Sequence, residues 1–165
     1  MPRTEAKPAP SALPAALVTG QIAGLIMAVV MMAVYALVLG KQPLYPVQII
    51  GSATFGEAAL QGVNVGAILV GLVLHQGGPS LLWGALFGFL VPVFHIEDAK
   101  EALLLGCTVG IVSMIGPFLL IPQLMLARHG VDIWTREVPL FWDWAAHLVF
   151  GLSFTLYPWI KERMR

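Results

Sequence analysis

Residues 15–39 read AALVTGQIAGLIMAVVMMAVYALVL and contain no Asp, Glu, Lys or Arg. The hydrocarbon core of a bilayer is about 30 Å thick, and a helix needs about 20 apolar residues to cross it. A helix can cross because it satisfies its own backbone hydrogen bonds where no water is present. This stretch is therefore predicted to be a membrane-spanning helix.

Three other long intervals have the same character. Residues 58–96 and 102–127 contain no Asp, Glu, Lys or Arg, and Asp143 is the only such residue between Val138 and Ile160. The 165-residue chain is 58% hydrophobic and 11% charged, whereas soluble domains carry roughly 25% charged residues. We therefore predict an all-α, polytopic transmembrane helical bundle of about five spans, with the lipid bilayer as its first partner.

The predicted boundaries follow residues that interrupt the apolar runs. Gln76 is followed by Gly77, Gly78 and Pro79, which predict a tight turn. Residues 42–56 contain two prolines and two glycines and are predicted to form a re-entrant or interfacial loop. Five crossings would place the termini on opposite faces of the membrane. The predicted segments are a polar Pro/Ala-rich stretch at 1–14, spans at 15–39, 57–75, 80–94, 102–127 and 140–160, and a basic tail at 161–165.

Four GxxxG pairs lie in four different predicted spans. Two glycines one turn apart form a flat groove where another helix can approach closely. Four such pairs favour a compact bundle, either within one chain or between chains, although glycine is also common in membrane helices. The pairs are Gly20/Gly24, Gly62/Gly66, Gly84/Gly88 and Gly106/Gly110.

Polar residues inside spans are costly to bury and are candidates for function. Asp143 and His147 are four residues apart and share one helix face. In a five-span arrangement His75 lies at a similar depth, in one layer with Gln21 and Gln123, and His129 follows just outside that layer. Facing imidazoles could ligate haem or a metal ion, with Asp143 as a hydrogen-bond acceptor that fixes the tautomer of a ligating imidazole.

The same residues admit other interpretations. A His and an Asp near the end of a membrane helix often cap it, snorkel or bond to neighbouring helices, and Asp143 lies between Trp142 and Trp144, residues typical of the headgroup level. This interfacial interpretation is favoured over a cofactor or metal site, and proton or ion transport is the third alternative.

Two further patterns lie on predicted spans. Glu57, Gln61 and Asn64 are spaced as a polar stripe on the second span, which could line a groove but more often bonds one helix to the next. Met27 and Met31 are one turn apart on the first span. Paired thioethers can hold Cu(I), although methionine in a membrane helix more often simply packs. The single cysteine, Cys107, excludes an internal disulfide.

The sequence contains no GxSxG, HExxH, phosphate-loop or paired intramembrane carboxylate motif, so no catalytic residue is assigned and an enzyme is not the favoured class. The net charge is zero, so nucleic acid is not expected as a partner.

Three stretches carry a family resemblance: AGLIMAVVMMAVY (23–35), the LVLH and WG..FG elements within 72–88, and HLVFGLSFTLY (147–157). They resemble small four- or five-span bacterial membrane proteins of unknown function. The chain departs from that pattern in the glycines after His75 and in the Trp-Asp-Trp before His147. The resemblance implies a bacterial inner (plasma) membrane location and no activity.

The leading functional hypothesis is a non-catalytic membrane subunit or accessory protein within a larger assembly, respiratory or photosynthetic, or within a homo-oligomer. Its small extramembrane parts and glycine faces motivate it. The alternatives are a haem- or metal-binding redox protein that uses His75 and His147, and a small transporter or proton pathway.

Overall fold

The computed structural model describes residues 12–164, and every regular element among them is helical. This confirms the prediction of an all-α bundle. Residues 1–11, which form most of the predicted polar segment at 1–14, and residue 165 lie outside the described residues. The helices are α1 (Ala12–Leu37), α2 (Tyr45–Phe55), α3 (Val65–Phe94), α4 (Ala99–His129), α5 (Ile133–Glu137), α6 (Leu140–Leu152) and α7 (Tyr157–Arg163).

Three of the described helices, α1, α3 and α4, are long and apolar enough to cross a membrane, with 26, 30 and 31 residues. The predicted spans at 57–75 and 80–94 are therefore not two helices but one, α3. The predicted span at 140–160 is α6 followed by a 3-10 turn, Ser153–Leu156, and then α7.

The predicted tight turn after His75 is instead a π-helical turn, Gln76–Ser80, within α3. Pro79 has no N–H, so the His75 carbonyl loses the donor it would meet four residues later. The Ser80 hydroxyl donates to that carbonyl at 3.0 Å, and Gln21 Nε2 of α1 donates to the Gln76 carbonyl at 3.0 Å. In a π-turn each carbonyl accepts from the N–H group five residues later. The two side-chain donors add to these shifted backbone bonds, and the helix continues.

α3 begins at Val65, eight residues later than predicted. Gly62 has φ +66°, a left-handed conformation that ends any helical path from Glu57. Asn64 caps the new helix, since its side-chain oxygen accepts from Ala67 N at 3.0 Å. Glu57 lies in a 3-10 turn, Gly56–Leu60, and Gln61 is extended. The predicted stripe of Glu57, Gln61 and Asn64 on one helix is therefore wrong.

Residues 45–55, predicted to belong to a loop, form the short helix α2. Pro46 lies in its first turn, where the missing N–H costs nothing. α2 crosses α3 at Gly51 and Gly71, where a Cβ on either glycine would meet the backbone of the other helix at Ala67 or Val47. The absence of side chains at these two positions lets α2 lie directly on α3.

Two antiparallel helix pairs form the body of the bundle, and glycines lie at both contacts. A Cβ on Gly20 of α1 would lie 2.6 Å from the Ser80 carbonyl oxygen of α3. A Cβ on Gly110 of α4 would lie 2.5 Å from the His147 carbonyl oxygen of α6. Gly24, Gly84, Gly88 and Gly106 lie at the same two contacts. The remaining predicted pair, Gly62/Gly66, is not on one helix, because Gly62 precedes α3 and only Gly66 is helical.

The described chain begins and ends at the same end of the bundle. Ala16 of α1 and Tyr157 of α7 belong to one core cluster with Phe87 of α3. Phe87 also stacks on Phe154, with ring centroids 4.4 Å apart. The loop after α1 and the segment around α5 lie at the opposite end. The merged helix α3 removes one of the reversals of direction that five separate spans would require, so within residues 12–164 α1 begins and α7 ends at the same end of the bundle.

Candidate functional site

A cavity of about 360 Å³ opens on the flank of the bundle between α3 and α4. The π-turn of α3 borders it through Gly78 and Pro79, and a second π-turn, Gly116–Leu120 within α4, borders it through Gly116 and Pro117. Its wall is mostly apolar and aromatic and includes Trp83 and Trp134, and its polar side chains are Ser80, Ser113, His75 and His147. A pocket of this size and lining is typical of small-molecule sites.

The exposed lining residues, which mark the mouth of the cavity, lie on the flank of the bundle. Leu74 and Leu124 line it and are 40% and 52% exposed, and both lie on long apolar helices. In a bilayer these flanks would face lipid. In that setting the mouth would open to molecules dissolved in the membrane.

His75 is buried between α3 and α1. Its Nε2 lies 3.2 Å from the Gly24 carbonyl oxygen. A carbonyl only accepts, so Nε2 carries a proton and donates, and in the neutral imidazole Nδ1 keeps its lone pair. The absence of a side chain at Gly24 leaves room for the side chains of Ser80 and Gln76 beside the α1 backbone.

Ser113, His147 and Asp143 form a polar row that joins α4 to α6. Ser113 Oγ lies 2.5 Å from His147 Nδ1 and donates to the Gly110 carbonyl at 2.7 Å. His147 Nε2 lies 3.7 Å from Asp143 Oδ1, and Trp134 Nε1 donates to Asp143 Oδ2 at 3.2 Å. Because the Ser113 hydroxyl donates its proton to the Gly110 carbonyl, its oxygen is an acceptor toward His147. His147 Nδ1 is therefore assigned a proton, which it donates to Ser113 Oγ.

A second cavity of about 60 Å³ adjoins the first and shares His75, Met27, Ile50 and Trp134 with it. Met31, Tyr35 and Asp143 line only this smaller cavity. His75 therefore lines both cavities, which differ in volume and in their polar lining residues.

A polar cap, made of Tyr35, Tyr45, Glu57, Arg136 and Glu137, closes the end of the bundle next to the smaller cavity. Arg136 Nη1 and Nη2 donate to the Glu57 carboxylate at 2.6 and 2.9 Å, and its Nε donates to Glu137 at 2.8 Å. The hydroxyls of Tyr45 and Tyr35 donate to the Glu137 carboxylate and carbonyl at 2.8 and 2.9 Å. These bonds hold α5 across the bundle and place Trp134 over Asp143.

The polar cap shifts the protonation of its own members. Hydrogen bonding to the Arg136 guanidinium lowers the pKa of Glu57. Burial, followed by the bond to Glu137, raises the pKa of Tyr45 to about 12. At neutral pH the cap therefore contains a glutamate ion pair and an uncharged tyrosine hydroxyl.

The structure places His75, Asp143 and His147 around the two adjoining cavities. Asp143 is 7% exposed and lies beneath Trp134 rather than at a surface. Gln123, a member of the predicted layer, and His129, predicted just outside it, lie elsewhere. Gln123 is exposed, and His129 Nε2 donates to the Ala53 carbonyl at 3.1 Å near the polar cap end.

Three residues at the site were not predicted: Ser80, Ser113 and Trp134. Ser80 directly follows Pro79, and Ser113 lies four residues before Pro117. The position of Ser80 is a usable signal, because the hydroxyl of a serine beside a proline can donate to a carbonyl whose ordinary helical donor the proline lacks. Ser113 offers no such signal, since its hydroxyl donates to the Gly110 carbonyl, which Pro117 does not affect. The position of Trp134 depends on the polar cap, and no local sequence pattern indicates it.

Among residues 12–164, no three His, Cys, Asp or Glu side chains are grouped closely enough to hold a metal ion. No protein-family model, curated protein or solved structure matches this chain.

Proposed function

We propose that this chain is a multi-pass protein of a bacterial inner membrane that binds a small amphipathic molecule from the bilayer. In this proposal α1, α3, α4 and the α6–α7 unit cross the membrane in alternating directions. The three long apolar helices and the antiparallel pairing of α1 with α3 and of α4 with α6 support it. The resemblance to small bacterial membrane proteins supports the location.

The flank cavity carries the proposal. Its apolar wall suits an aliphatic or aromatic body, and Ser113 and His147 offer hydrogen bonds to one polar group. Both helices flanking the mouth contain π-turns, which widen a helix locally and occur frequently at functional sites. The proposed role is binding, and no chemical step is assigned to these residues.

The accessory-subunit hypothesis loses part of its motivation. Six of its eight glycines lie at contacts within the chain, so they offer no free groove to another subunit. The bis-histidine haem hypothesis stays a prediction. Ligation of iron by His147 would require exchange of its contact with Ser113 or with Asp143. The proton-pathway hypothesis also stays a prediction, with Glu57 now paired to Arg136 and removed from Asn64.

Two neighbouring glycines provide a matched test. Gly78 borders the flank cavity and Gly77 does not, and a Cβ at either position meets no atom within 4 Å. Gly78→Leu is expected to fill part of the cavity without a clash, and Gly77→Leu to leave the cavity open. The probe is dodecanol carrying a diazirine, crosslinked by light to the purified protein in nanodiscs and mapped by mass spectrometry.

The expected result is labelling of cavity residues such as Trp83 and Phe150 in the wild type and in Gly77→Leu, with a severalfold reduction in Gly78→Leu. Equal labelling of all three proteins, spread over lipid-facing residues such as Leu25 and Phe89, would contradict the proposal.

A further inference from the structure

The smaller cavity brings two thioethers and an imidazole to one place. Met27 and Met31, one turn apart on α1, line it together with His75 of α3. Its volume of about 60 Å³ admits a single ion. Met31 is buried, and the helix spacing directs both methionines to the same side of α1.

His75 has the tautomer that a metal ligand requires. Its Nε2–H donates to the Gly24 carbonyl, which fixes the ring and leaves Nδ1 deprotonated. Nδ1 has no hydrogen-bond partner among residues 12–164. In metal sites a backbone carbonyl commonly accepts from one ring nitrogen of a histidine while the other ring nitrogen binds the metal.

The charge of the cavity favours a monovalent cation. Asp143 is its only acidic lining residue, and Met27, Met31 and His75 are neutral donors. One carboxylate balances one positive charge, whereas a divalent ion would leave net charge in a low-dielectric interior, which is costly. Thioether sulfur is a soft ligand that selects Cu(I) over hard divalent ions.

We propose that Met27, Met31 and His75 bind Cu(I), or Ag(I) as its chemical analogue, with Asp143 as the balancing charge. The proposal does not depend on the amphipathic ligand. Met31 lines only the smaller cavity, whereas Ser113 and Gly78 line only the larger one. Each site can therefore be altered alone.

The test is an anaerobic competition for Cu(I) against a chromophoric Cu(I) chelator, with protein purified in mild detergent. All proteins carry Cys107→Ser, which removes the one thiol that could compete. The parent protein is expected to take one equivalent of Cu(I). Met27→Leu and Met31→Leu are each expected to lower its affinity at least tenfold, since leucine keeps the volume and removes the sulfur.

Met32→Leu is the matched control, because Met32 lies on the same helix and lines neither cavity. Its affinity, and that of Gly78→Leu, is expected to equal that of the parent. X-ray absorption of the bound copper is expected to show both sulfur and nitrogen neighbours. Failure of the parent to take Cu(I), or equal affinities of Met31→Leu and Met32→Leu, overturns the proposal.

Discussion

Glu57 illustrates how one conformational detail decides the role of a charged residue. Its spacing from Gln61 and Asn64 indicates a common face only if the helix starts at Glu57. The left-handed φ of Gly62 and the cap at Asn64 move that start to Val65. Glu57 then pairs with Arg136, 79 residues away. Local spacing could not predict this partner, because the contact depends on how α5 folds over the end of the bundle.

Replacing Glu57 by Gln is expected to lower thermal stability slightly at pH 7. Since both side chains are about half exposed, the loss should be about 0.2–1 kcal/mol. The pKa of Glu57 is lowered in the fold. Its ion pair therefore stabilises the fold above the ordinary glutamate pKa of about 4.3, and this stabilisation disappears as pH falls through the lower native value. The melting temperatures of wild type and variant should differ at pH 7 and converge in acid, once the pH is below the native pKa of Glu57.

The control is Glu162→Gln, since the Glu162 carboxylate makes no ion pair among residues 12–164. Its melting temperature should follow that of the wild type at both values of pH. A Glu57→Gln deficit that persists in acid would show that the lost contact is not the ion pair.

At the scale of elements, apolar length predicts α1 and α4 to within a few residues, because charges mark both ends of these runs. The QGGPS stretch was wrongly predicted as a turn, because the same residues suit a reversal and a π-turn. What separates the two is non-local. Gln21 of α1 donates a hydrogen bond to the Gln76 carbonyl. Gly84 of α3 lies against Gly20 of α1 where the two helices pack. These contacts are invisible within a local window of sequence.

Gly20→Ala is expected to destabilise the α1–α3 pair. Its added Cβ would lie 2.6 Å from the Ser80 carbonyl oxygen and 2.7 Å from Gly84 Cα, both backbone atoms that cannot move independently. Overpacking of this kind costs about 1–3 kcal/mol. Thermal unfolding in detergent is the measurement. Gly77→Ala is the control, because its added Cβ meets no atom within 4 Å, and its melting temperature should equal that of the wild type. A glycine with positive φ would be unsuitable as a control, since any side chain there strains the backbone.

At the scale of the whole molecule, the prediction that His75 and His147 share a layer assumed five spans, and the described helices do not form five separate spans. The structure brings them to adjoining cavities by another route. α3 runs on past His75, so this histidine lies within a long helix instead of at a span's end. The burial of Asp143 beneath Trp134 depends on α5 and the polar cap, which no apolar run indicates.

The predicted five-span topology and the proposed four-crossing topology differ in which loops lie on the same side of the membrane. Five spans place Lys41 and Glu97 on the same side, whereas the bundle places them at opposite ends. In a Cys107→Ser background, Lys41→Cys and Asp132→Cys are expected to react with an impermeant maleimide from one side of oriented vesicles. Glu97→Cys and Glu162→Cys should react only from the other. Joint labelling of positions 41 and 97 would contradict the four-crossing arrangement.

The mouth of the cavity at Leu74 and Leu124 also determines which ligand concentration sets the occupancy of the cavity. A molecule that enters from the bilayer competes with lipid rather than with water, so its mole fraction in the membrane sets the equilibrium. Adding empty liposomes at a constant total amount of ligand should then dilute it and empty the cavity. Enlarging the aqueous volume around a strongly partitioning ligand should leave the cavity as full as before.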